Sequence, residues 1–122
     1  MGSHLADSWK VYFALWVQLI AYLGDHGTSA DAEELLHTLA GSTGWYAELA
    51  GIGAGTITYE HALAGAGTAG QRCEAHFYAG AHALTHGDTA GARTAFQAAI
   101  ATNMVSYFEY VMAQELLGTL GS

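Results

Sequence analysis

His82 and His86, four residues apart, are the clearest chemical pair in the chain. On one face of a helix that spacing suits two ligands of a zinc ion, but a site needs a third and usually a fourth donor. No Glu or Cys falls on the same face by spacing. Cys73 and His76, three apart and nearly two turns upstream, form a second partial pair. Neither pair approaches H-E-x-x-H or a double C-x-x-C. His86 precedes Gly87, where a helix C-terminus favours an imidazolium. His82 and His86 are thus the weak metal candidates, and metal bound there is expected to be adventitious. Glu60-His61 and Glu74…His76 offer carboxylate–imidazole neighbours, but adjacent residues on a helix diverge by about 100° and share no target. There is no G-x-S-x-G and no phosphate loop. Gly51, Gly53 and Gly55 lack the upstream strand and following helix of a dinucleotide site. The expectation is a non-catalytic protein with no cofactor.

Composition narrows the partners. The 122 residues fit one domain, expected over residues 5–120, because MGSH and the final Gly121-Ser122 resemble cloning remnants. Only 11% of residues are charged, against about 25% in ordinary domains, so small apolar groups must cover much of the surface. The net charge is −8, with Lys10, Arg72 and Arg93 the only Lys or Arg. Neutralising phosphates takes clustered cations, which argues against nucleic acid and acidic membranes. The single Cys73 excludes an internal disulfide, and its apolar setting predicts a core thiol.

The longest apolar run, Val11 to Leu23, is broken only by Gln18. Its length corresponds to about 20 Å of helix, short of the ~20 residues that span a bilayer. No A-x-A-like site follows it, so it does not read as a signal peptide. Its apolar side chains surround nearly the whole helix, which predicts burial on most sides or a homodimer or higher oligomer built on this helix.

Caps and glycine stops divide the chain into seven helices. The first spans about Ser8 to Leu23, capped by Asp7 or Ser8. The second spans Ala30 to Ala40 after Thr28 or Ser29, with Asp31, Glu33 and Glu34 suiting the helix N-terminus. A third runs from Gly44 or Trp45 to about Gly53, and a short fourth from Thr56 or Thr58 to about Gly65. The fifth and sixth make a hairpin over Ala69 to Thr102. The last spans about Val105 to Leu117, with Ser106 and Glu109 at capping-box spacing. Trp16…Leu23-Gly24…Glu34…Ala40-Gly41 finds an echo in Trp45…Ile52-Gly53…Glu60…Ala66-Gly67, which suggests a divergent repeat. Only Thr56-Ile57-Thr58-Tyr59 leans towards strand, so the fold class is all-α, with stacked antiparallel hairpins and a C-terminal capping helix.

Residues 73–104, CEAHFYAGAHALTHGDTAGARTAFQAAIATNM, carry the sharpest pattern. Gly80 permits close helix approach, Gly87-Asp88 makes a turn, and Ala92, Phe96, Ala99 and Ile100 form a stripe on the second helix. This resembles a tetratricopeptide repeat (TPR), over about a quarter of the chain. Cys73 to Leu117 also looks like the C-terminal end of bacterial TPR-like proteins, and the expectation is a bacterial, cytoplasmic protein. His76, Ala79 and Ala83 depart from the usual aromatic, leucine and tyrosine, and Met104 replaces the closing proline.

The resemblance implies an interaction or scaffold module whose inner helix exposes Glu74, Phe77, Ala81, Leu84 and Thr85 as a groove for a peptide or partner helix. Three Trp, seven Tyr and four Phe supply core filling and candidate anchors. The alternatives are a helical bundle holding a small apolar ligand or metal, and a structural homo-oligomer or C-terminal piece of a longer repeat protein. Imidazoles converging on a void would favour the ligand, and an open concave face a protein partner.

Overall fold

The computed structural model describes residues 4–24, 30–41 and 44–120. Among them are seven helices and no strand: α1 (His4–Leu23), α2 (Ala30–Ala40), α3 (Trp45–Ala54), α4 (Tyr59–Gly65), α5 (Ala69–Thr85), α6 (Thr89–Ala101) and α7 (Phe108–Leu120). The fold is all-α.

Local chemistry explains most of the boundaries. Thr58, Thr68 and Asp88 cap α4, α5 and α6, accepting from the amides of His61, Gln71 and Gly91 at 3.1, 3.0 and 2.9 Å. Gly87 takes φ +83° between α5 and α6, a conformation that side chains disfavour. Two expectations need correction. The helix α1 starts at His4, so Asp7 and Ser8 lie inside it, with no Gly or Pro nearby to stop the helix earlier. Ser106 and Glu109 do not open the last helix as a capping box. Glu109 turns inward to Tyr78 instead, and α7 begins at Phe108. The expected cap of α2 at Thr28 or Ser29 lies outside the described residues.

Each helix packs on the next in sequence, and the alternate pairs α1/α3, α3/α5 and α5/α7 also touch. A further pair, α1/α5, closes the assembly, so α5 meets α1, α3, α4, α6 and α7. This central position follows from its composition. Cys73, Ala75, Phe77, Tyr78, Ala79, Gly80, Ala81 and Leu84 are all buried, and the small ones let neighbours approach. Phe77, Phe96, Leu19, Leu36, Leu49 and Val11 are the bulkiest apolar side chains removed from solvent. Each such burial stabilises by roughly 1.5–3 kcal/mol relative to exposure. No helix among the described residues is long and apolar enough to cross a membrane.

The tightest seam is α5 on α6. A Cβ added at Gly80 would sit 2.6 Å from Phe96 Cε1 and 3.2 Å from the Ala95 Cβ. Gly80 is therefore packed against the helix bearing Phe96, as the sequence predicts. Gly80→Leu is expected to destabilise the fold by about 1–3 kcal/mol through overpacking, measured by denaturant unfolding.

Candidate functional site

The inner face of α5 carries two polar residues one turn apart, Glu74 and Tyr78, and three other helices meet on them. Tyr12 of α1 donates its hydroxyl to Glu74 Oε2 at 2.5 Å, and Trp45 of α3 donates its indole N–H to Glu74 Oε1 at 2.8 Å. Trp16 of α1 donates to the Tyr78 hydroxyl at 3.1 Å, and that hydroxyl donates to Glu109 Oε2 of α7 at 2.8 Å. Tyr12 pairs with Glu74 and Trp16 with Tyr78, in the same order on both helices, so α1 and α5 run parallel. Trp16 also stacks on Phe77 and on Phe108, with ring centroids 5.6 and 5.0 Å apart.

This arrangement corrects the expected groove. Phe77 is wholly buried, with Leu84 and Ala81 at 5% and 8% exposure. Glu74 is engaged by Tyr12 and Trp45, and only Thr85 keeps partial exposure without such cover. The chain's own α1 lies where the TPR resemblance implies an open face. The reason is the long aromatic α1, whose Tyr12 and Trp16 bury apolar rings while their polar tips find acceptors on α5. Spacing alone carried one signal of this: Tyr12/Trp16 and Glu74/Tyr78 are both i, i+4 pairs, and each faces one way.

A larger, shallower hollow of about 420 Å³ lies over α5 and α6 at Arg72, His76 and Thr102, and a cleft of about 70 Å³ lies between α1, α2, α3 and α5. Leu15, Leu19, Gly53, Ala54 and Ala81 wall it, and Gln18, Glu33, Tyr78, His82, Thr85 and His86 supply polar atoms. Of the expected groove residues, Ala81 and Thr85 thus share a site with the two weak metal candidates. The His82 and His86 rings lie 4.1 Å apart and 32° from parallel. The rings are tilted rather than stacked, and His86 Nδ1 faces the His82 carbonyl rather than an ion. No cluster of three or more His, Cys, Asp or Glu among the described residues could hold a metal. His86 Nδ1 lies 2.8 Å from the carbonyl of His82, which can only accept, so Nδ1 carries the proton. Burial, then the His86 neighbour, pushes the His82 imidazole below its usual range, against a bond to the Gly53 backbone. It is neutral at pH 7.

Other singled-out residues are structural. Cys73 is buried, and burial pushes its thiol up, away from the reactive thiolate. His76 Nδ1 pairs with the Tyr59 hydroxyl, whose pKa burial pushes up to about 12. His61 stands 3.5 Å from Glu48, not from Glu60. No family model, curated protein or solved structure matches this chain.

Two tests follow. Phe77→Ala removes a wholly buried ring and is expected to cost about 3–5 kcal/mol in unfolding free energy. A melting temperature left unchanged would restore Phe77 to an accessible groove. The second concerns pH. Burial raises the Glu74 carboxyl above its ordinary 4.5, despite the lowering bonds from Tyr12 and Trp45. A raised folded pKa gives stability that is full below 4.5 and lost as pH rises through the folded value. Burial lowers His76 and His82 below 6.5, so their contribution is full above 6.5 and lost as pH falls through their folded values. Glu74→Gln deletes only the carboxyl component. Its stability relative to the parent should therefore rise between pH 4 and pH 7, read from unfolding curves at both.

Proposed function

We propose that the chain is a non-catalytic, TPR-like interaction module. In this reading α1/α2, α3/α4 and α5/α6 are stacked hairpins, and α7 is the capping helix. Support comes from the packing order, in which each helix touches its successor and the alternate pairs α1/α3, α3/α5 and α5/α7 touch. α1 and α5 run parallel as inner helices of a stack do, and their direct contact closes the array more than neighbour-only repeats would.

The docking face of this module is the outer side of α1 together with α7, and its occupant is a second copy of the chain. The carrying observation is an apolar strip that stays exposed. Phe13 and Ile20 on α1 are 52% and 60% exposed, and Phe108 and Val111 on α7 are 59% and 45% exposed. The Trp16–Phe108 stack joins the two ridges. Twenty residues of α1 give about 30 Å of length, and two neighbouring helices give roughly 20 Å of width. That footprint of roughly 600 Å² approaches the ~800 Å² per partner of a standard interface.

A second copy fits the charge pattern. No Asp, Glu, Lys or Arg occurs between Val11 and Leu23. Two molecules of net charge −8 therefore meet along the α1 part of the strip without like-charge contact, and a two-fold axis would set it against itself. Repulsion between the remaining surfaces makes the pairing salt-dependent.

Light scattering is expected to report a dimer that tightens as sodium chloride screens the repulsion. Ile20→Asp should give a monomer with a nearly unchanged melting temperature, since Ile20 is exposed. A strict monomer at high protein and salt concentrations would remove the second copy as occupant.

A further inference from the structure

We infer that the cleft between α1, α2, α3 and α5 binds a primary ammonium or guanidinium group. The first argument is size. An engineered cavity of about 150 Å³ holds benzene. The cleft offers about 70 Å³ and thus admits a head group of a few heavy atoms rather than a ring.

The second argument is the sign of its polar groups. His86 Nδ1–H donates to the His82 carbonyl, which also accepts from the Thr85 hydroxyl at 3.0 Å. The His82 imidazole, kept neutral by its burial, lies against the Gly53 backbone. A neutral imidazole carries one proton on two nitrogens, so the His82 ring offers an acceptor as well as a donor. Glu33 adds a carboxylate, and no Lys or Arg lines the cleft. With Glu33 as the one formal charge of its lining, and Gln18 and His82 able to accept, the site favours a cationic donor over an anion. Among the described residues no third His, Cys, Asp or Glu is grouped with the two imidazoles as a metal site would need.

This site is independent of the self-association face. Leu15, Gln18 and Leu19 line the cleft, whereas Phe13 and Ile20 lie on the opposite side of the same helix. The cation has two sources, a free small amine or a Lys or Arg side chain of a partner, and the chemistry is shared.

The test is amide-resolved NMR titration of the full chain with n-butylammonium and methylguanidinium chlorides. A blocked Gly-Arg-Gly peptide and sodium acetate are titrated in parallel. Saturable shifts confined to Gly53, Ala54, His82, Thr85 and His86 are expected from the cations and not from acetate. Glu33→Gln, at an exposed position, should weaken the cations roughly fivefold. Ile20→Asp should leave their binding unchanged. Peptide binding as tight as methylguanidinium assigns the site to a partner's side chain. Shifts from the free cations alone assign it to a small amine. Absent shifts, shifts spread over all acidic residues, or the same shifts with acetate would overturn the proposal.

Discussion

Two residues on one helix, Glu74 and Tyr78, fix how the other helices stand around α5. Glu74 accepts from α1 and α3, while Tyr78 accepts from α1 and donates to α7. An apolar contact tolerates sliding, whereas a hydrogen bond beneath packed rings tolerates little, because an unmade bond leaves a desolvated group. The two rungs between α1 and α5 set both register and direction. A one-residue slip of α1 turns Tyr12 and Trp16 away from their acceptors.

The seam is unusual in charge. Its carboxylates, Glu74 and Glu109, meet hydroxyls and an indole rather than a guanidinium or ammonium. Neutral donors offset the loss of water without cancelling charge, so burial still raises Glu74. The hydroxyls feel the reverse side of the same field. Tyr12 and Tyr78 are both pushed well above the usual phenol range, by burial first and by the carboxylates after it. They remain donors at any pH at which the protein is folded. The seam thus gives specificity of packing and costs some stability at neutral pH, the common balance for buried polar networks.

The α5–α6 hairpin was legible because its rules are local. Gly80 opposite Phe96, Gly87-Asp88 as turn and cap, and buried Ala92 and Ala99 all follow from short spacings. Helix limits were legible to a few residues for the same reason, through Thr58, Thr68 and the glycine stops. The fate of the α5 inner face was not. Whether Phe77 meets solvent depends on Trp16, which lies far upstream in sequence, and no local spacing states that α1 folds back across it. Glu109 misled for a related reason, since its position three after Ser106 also serves a partner on another helix. The His82–His86 pair was legible as a pair, but its cleft is not, because half the walls belong to α1 and α3.

α1 closes the helices into one unit through its contacts with α2, α3 and α5. Its inner side supplies Val11, Leu15 and Leu19 to the core and Tyr12 and Trp16 to the seam. A helix with only those residues would be an ordinary amphipathic helix of the core. The chain instead keeps Phe13 and Ile20 apolar and largely exposed on the far side, at a cost in solubility. The inner face that the repeat pattern assigns to a partner is taken by the chain itself, and the apolar surface that remains lies on the back of the helix that took it. The seam leaves the outer side of α1 exposed and the small polar cleft between α1, α2, α3 and α5 open.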